Sequence, residues 1–176
     1  MDRVTNGLKG MYRDIISDPQ HGIYLDSGWK NNTIVNRCRM LLAGFMRGDS
    51  SSGIQFLAVG QGDPAWDDTA SPPTDPAVTT NLVNPHMPPI PAASLDFTYL
   101  DDLDNLTSGP STRLQISATL APDYPPPPTG LTTYPLREFG LFGEFDGSSY
   151  MINSIRHPVI HKGATATLIR VVRLYF

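Results

Sequence analysis

His157 and His161, in the run RHPVIHKG, stand four residues apart, a spacing that brings two imidazoles to one metal only on a helix. Pro158 opposes a helix there, and neither a cysteine nor an acid lies near enough to complete a ligand set. The pair therefore reads as two loop histidines. Asp101, Asp102 and Asp104, in LDDLDN, offer the oxygen ligands a hard cation takes, but the glycine and closing glutamate of a calcium loop are missing, which leaves an exposed acidic turn. Glu138 and Glu144, six residues apart on one strand face, resemble a carboxylate pair for acid–base work, yet they have no supporting group and read as surface residues. Cys38 falls on the apolar stripe of a helix, where a thiol is buried and inert. Gly60 and Gly62, in VGQGDP, follow a strand without the third glycine or the helix of a dinucleotide site, so they form a turn. The chain has no Gly-x-Ser-x-Gly elbow. No catalytic residue, metal or cofactor is expected.

The elements that must carry these residues come from the hydrophobic pattern. Ile34, Val35, Cys38, Leu41, Leu42 and Phe45 recur at helical intervals, which predicts an α-helix over roughly residues 32 to 47, capped by Asn32 or Thr33 and stopped at Gly48. GIQFLAVGQG then reads as a buried strand. RLQISATL alternates Leu114, Ile116, Ala118 and Leu120 with polar residues and reads as a half-buried strand. LREFGLFGEF and SSYMINSIRH flank Asp146-Gly147, a hairpin signal, and ATATLIRVVRLYF predicts a closing strand. The expected fold is mainly β, an antiparallel sheet or sandwich of about five strands with one N-terminal helix packed against it.

The 176 residues suit a single domain spanning 1–176, with an N-terminal segment and helix (1–50), a proline-rich excursion (63–94) and C-terminal strands (112–176). Eight prolines make the excursion mostly irregular, either an interaction arm or a covering flap. Four consecutive prolines in APDYPPPPTG favour a second stiff segment. One cysteine excludes an intrachain disulfide, and the absence of any long apolar run excludes a signal peptide and a membrane span; cytosolic synthesis is expected. Asn31 and Asn105, each in an Asn-x-Thr triplet, are then not glycosylation sites.

The net charge of −4 is unevenly spread. Between Arg47 and Arg113 there are nine acids and no Lys or Arg, so all 13 basic residues lie elsewhere with the remaining eight acids. Sparse, unclustered basic residues exclude a nucleic-acid footprint. The acidic segment reads either as a solvated loop or as a surface that meets arginines of a neighbouring copy, such as Arg37, Arg39 or Arg173. Apolar residues Trp66, Val78, Leu82, Met87 and Ile90 make the excursion the candidate contact surface.

GIQFLAVGQGDPAWDDTASPPTDPAVTTNLVNP resembles the stretch of bacteriophage tail proteins in which a strand reaches a Gly-x-Gly turn and a Ser/Thr/Pro-rich loop. RLQISATL followed by LREFGLFGEFDG resembles their later strand pair, with Leu136 to Gly143 the most specific part. The order matches over residues 53 to 176 and departs at Val83, Asn84 and Pro85, where such proteins often carry an acid. The resemblance implies a virion component: a structural protein of a phage tail or contractile injection system, at a tail fibre, baseplate, collar or cap-adaptor position. It implies a homo-oligomer, trimeric or hexameric, that contacts other tail proteins. Gly140 and Gly143 are expected where a neighbouring backbone comes close or a bulge bends the strand, with Leu141 and Phe142 in the core. A carbohydrate- or peptide-binding β-domain is the alternative, with Trp29, Trp66, Tyr124 and Tyr134 as contact aromatics.

Overall fold

A computed structural model describes residues 7–68 and 72–176. Three strands that the hydrophobic pattern does not announce come first: β1 (Lys9–Asp18), β2 (Gly22–Asp26) and β3 (Lys30–Ile34). After helix α1 (Asn36–Arg47) follow β4 (Ser51–Gly60), β5 (Ile90–Pro91), β6 (Leu95–Leu100), β7 (Leu106–Thr107), β8 (Arg113–Leu120), β9 (Thr133–Phe145), β10 (Ser148–Met151), β11 (Asn153–Gly163) and β12 (Thr167–Tyr175). Together they form one open, 12-stranded antiparallel sheet in the order β5-β4-β9-β11-β3-β1-β12-β8-β6-β7, with β10 added to β9 and β2 to β1. Among the described residues the fold is mainly β with a single α-helix against the sheet, as expected; the strand count is more than doubled.

The helix starts later than its periodicity predicts. Thr33 pairs with Ser154 of β11, and Asn32 pairs with Gly10 of β1, so sheet hydrogen bonds claim the residues expected to cap the first turn. Val35 takes the N-cap position without a side-chain bond. The C-terminus is as predicted: Gly48 adopts φ 84°, and the amides of Gly48 and Asp49 close on Phe45 and Gly44 at 3.1 and 2.9 Å.

Leu168, Val172 and Leu174 of β12 face the core together with Ile116, Ala118 and Leu120 of β8. From the other half of the sheet come Leu57, Val59, Leu136, Phe139 and Leu141. Tyr12 of β1 meets Phe139 of β9 edge-on, with ring centroids 5.4 Å apart, although β11 and β3 separate their strands in the sheet. The two halves thus pack across one apolar core.

The Asp146-Gly147 hairpin forms, both residues with positive φ (49° and 72°), and Phe145 pairs with Ser148. SSYMINSIRH divides into the end of that hairpin and the start of β11. β11 runs on through Pro158 by a bulge between Arg156 and Ile160. His157 and His161 are therefore strand residues, not a loop pair, because a bulge lets a proline interrupt the ladder without ending the strand. The excursion is mostly irregular, with 3₁₀ turns at Pro64–Asp68 and Ala92–Ser94; its residues 69–71 lie outside the described residues. No helix among the described residues is long and apolar enough to cross a membrane.

Candidate functional site

β9 is buried without interruption from Tyr134 to Gly143, and two charged residues, Arg137 and Glu138, stand inside that run. Burying a charge costs several kcal/mol unless it is paired, so their partners decide what this region is for. Arg137 donates two parallel hydrogen bonds to Asp67, at 2.9 and 2.6 Å, and a third at 3.0 Å to the carbonyl of Gln61. The guanidinium beside Asp67 holds that carboxyl below the usual carboxylate range. Glu138 accepts the backbone amides of Val83 (2.9 Å) and Asn84 (2.7 Å), one on each oxygen. The approach is so close that a Cβ on Gly60 would lie 2.6 Å from a Glu138 oxygen and 2.5 Å from the Asn84 carbonyl, which requires glycine there.

More ties follow along the excursion. Asp75 is buried, accepts the Ser154 hydroxyl and forms an ion pair with Arg156; that guanidinium also lies 4.5 Å over the Trp66 ring. The His86 amide donates to Val59 at 2.8 Å, and its ring sits edge-on between Tyr124 (5.3 Å) and Tyr134 (5.7 Å). Tyr124 donates its hydroxyl to the carbonyl of Pro88 at 2.8 Å. Of the two expected forms, arm or flap, the chain takes the flap: a loop fastened to the sheet through β9, β11 and β4.

Fastening leaves some apolar residues outward. Leu82, Ile90 and Trp66 are buried in the chain itself, whereas Val78 keeps 70% and Met87 69% of its surface in water, and Val83 is exposed as well. Some of the charges expected at a contact between copies have partners within their own chain. Arg173 is held within its own chain, bonding Gln115 at 3.0 Å, pairing with Asp104 at 3.5 Å and lying 4.2 Å over Trp29. The excursion's acids Asp67 and Asp75 likewise find arginines of the same chain, because β9 and β11 present Arg137 and Arg156 directly beneath them. Arg37 lies 4.7 Å over Tyr150, and Arg39 is exposed. Glu138, expected at the surface, is buried, while Glu144 is exposed.

A second buried charged cluster lies on the other half of the sheet. Arg170 donates to both oxygens of Asp14, at 2.7 and 2.9 Å, and to Nε2 of His157 at 3.0 Å, with the Phe139 ring 3.7 Å from its guanidinium. His157 has its other nitrogen, Nδ1, 2.8 Å from the Pro158 carbonyl, so Nδ1 carries the proton and Nε2 accepts. Burial, with Arg170 second, pushes the His157 pKa down to about 4. A cavity of about 290 Å³ opens beside it, lined by Tyr12, Asp14, Asp26, Lys30 and His157. A neutral imidazole already bonded at both nitrogens has no proton to exchange with a ligand there.

Cys38 is buried, and its thiol is pushed up to about 11 by burial, so it is not a nucleophile at neutral pH. Among the described residues, no group of three or more His, Cys, Asp or Glu side chains converges to hold a metal ion. Trp66 and Tyr134, two of the four aromatics considered for ligand contact, are buried. No family model, curated protein or solved structure matches the chain. The polar residues that organise the molecule, Asp14, Arg170, Asp75 and Arg156, were not singled out by sequence reasoning. The signal that could have found two of them is a charged residue at an inward position of an alternating strand, as Arg170 stands between Leu168 and Val172.

Proposed function

We propose that the chain is a structural, non-enzymatic component of a phage tail or a related contractile injection particle, acting by homo-oligomeric assembly and attachment to neighbouring subunits. The observation that carries this reading is what Arg137 and Glu138 do. These are the charged members of the Leu136–Gly143 run on which the resemblance to tail proteins rests, and both are spent on fastening the proline-rich loop. A loop ordered in advance loses little entropy when a neighbour packs on it. Val78, Val83 and Met87 are thereby held outward on a fixed support, as a contact surface needs. On this reading the chain is synthesised in the bacterial cytoplasm and incorporated into the particle, its partners being its own copies and other tail proteins.

A genetic test is direct. Cells that encode the particle but lack this chain should produce incomplete particles by electron microscopy, and the wild-type chain supplied in trans should restore them. A chain carrying Val78→Ser, Val83→Ser and Met87→Ser should fold and fail to restore them. Normal particles in the absence of the chain would refute the proposal.

A further inference from the structure

Helix α1 carries a wider apolar stripe than its own sheet covers. Only Cys38, Leu41 and Gly44 are buried, while Leu42 and Phe45, which periodicity assigns to the core, are exposed along with Met40 and Met46. Phe45 keeps 70% of its surface in water. Gly44 is where the helix meets the sheet closely: a Cβ there would stand 2.4 Å from the Phe145 ring. Beside the uncovered face lies an apolar groove of about 200 Å³, lined among others by Leu42, Ile54, Phe97, Leu174 and Phe176. The helix bears Arg37, Arg39 and Arg47 and no acid.

The same chain displays a feature of opposite character. In the turn between β6 and β7, Leu103 keeps 83% of its surface in water, and Leu106, which opens β7, is also exposed; Asp101, Asp102 and Asp104 belong to the same turn. Asp101 stiffens the turn by accepting the amides of Leu103 and Asn105 at 2.8 and 2.9 Å. Asp104 is taken up by Arg113 at 2.9 Å. The Asp102 carboxylate stands almost wholly in solvent, with Arg113 no closer than 3.5 Å. A stiff turn offering two leucines and a solvent-exposed carboxylate complements, in polarity and charge, an apolar groove beside a helix whose charged residues are all arginines.

We propose that the 101–106 turn of one copy docks on α1 of a second copy, Leu103 and Leu106 entering the groove beside Leu42 and Phe45, and Asp102 facing Arg39 and Arg47. This contact rests on the reading of the chain as a self-assembling subunit and adds a second surface to the proline-rich loop. Each copy carries both halves, so the contact is directional wherever groove and turn do not meet twice.

Sedimentation velocity of the purified chain tests it. The wild type should self-associate, while Phe45→Ser and Leu103→Asp, both at exposed positions, should each sediment as monomers with unchanged circular dichroism and melting. Mixed one to one, these two variants should associate again, because each retains the half the other has lost. Asp102→Arg should weaken association about tenfold, and Arg39→Glu with Arg47→Glu in the partner should recover it. A wild type that stays monomeric, an assembly that neither variant alters, or a mixture that does not associate would each overturn the proposal. Particle incorporation separates the two readings: a monomeric chain that nevertheless enters particles removes this contact and leaves the structural role standing, whereas a self-associating chain that never enters particles does the reverse.

Discussion

Arg170 grips Asp14 with two hydrogen bonds, of 2.7 and 2.9 Å, across 156 residues of chain and with both side chains fully buried. The pair ties β12 to β1, the adjacent strands in which Asp14 and Arg170 stand directly opposite each other. Removing one partner leaves an uncompensated buried charge, which costs about 3–5 kcal/mol. Asp14→Leu and Arg170→Met should each lower stability by that order in urea unfolding. The double variant should lose clearly less than the two single losses combined. Additive losses would show that the two charges do not depend on each other.

His157 makes stability depend on pH. Its folded pKa, pushed down to about 4 by burial, lies below the ordinary histidine value of 6.5, so on acidification the unfolded chain takes up a proton before the folded one. Its contribution is complete above about pH 6.5 and is lost progressively as pH falls toward 4, by roughly 3 kcal/mol at the lower end. His86, also shifted down by burial, acts in the same direction. His157→Gln, which keeps an acceptor for Arg170, should flatten the urea midpoint between pH 6.5 and 4 relative to wild type. An unchanged slope would mean that His157 titrates normally.

Glu138→Gln replaces one of two charged acceptors by an amide that meets a backbone donor. With the amides of Val83 and Asn84 in place, the loss should be about 1.5–3 kcal/mol and should be felt first in the proline-rich loop. Hydrogen exchange should quicken around residues 76–90 before it does in β8 or β12. Replacing the loop from 64 to 91 by a Gly/Ser linker should unfold the chain, since the buried Arg137 and Glu138 and the half-buried Arg156 would all lose their partners. Uniform exchange in Glu138→Gln, or a stable linker variant, would contradict this view of the loop.

The C-terminal hairpin tolerates little. Leu141 and Phe142 are buried, and Leu141→Asp or Phe142→Asp should yield insoluble protein, because an unpaired carboxylate costs several kcal/mol of a stability of roughly 5 to 15. Gly143→Ala is a finer probe: its Cβ would lie 2.8 Å from the carbonyls of both Gly53 and Ser52. That crowding should cost about 1–3 kcal/mol in the same unfolding assay. Parent-like melting of Gly143→Ala would mean that β4 and β9 do not approach so closely.

What could be read from the sequence follows the physics of each strand. β8 and β12 alternate apolar residues toward the core, and the Asp146-Gly147 turn fixes its own geometry, so these elements were legible. β1 was not, because its inward row is Gly10, Tyr12, Asp14 and Ile16, an alternation broken by a glycine and by an acid whose partner lies on β12. β3, made of Lys30, Asn31, Asn32, Thr33 and Ile34, has no apolar alternation and exists through its pairing with β1 and β11. The loop was recognisable by its prolines, but its fastening was not, because Asp67, Asp75 and Glu138 meet hydrogen-bonding partners 54 to 79 residues away. Glu138, next to Arg137 in a run that is apolar apart from these two, looked like a surface residue for the same reason.

The proposed function is that of a fixed part of a tail-like particle, with Val78, Val83 and Met87 of the fastened loop facing outward for contact. The most direct measurement is the number of copies per particle, by quantitative mass spectrometry of particles purified from cells that encode the chain. The account predicts a constant, symmetry-related copy number for the wild type and near-total loss for the chain carrying Val78→Ser, Val83→Ser and Met87→Ser. Particles free of the wild-type chain, or a triple variant present at full copy number, would contradict it.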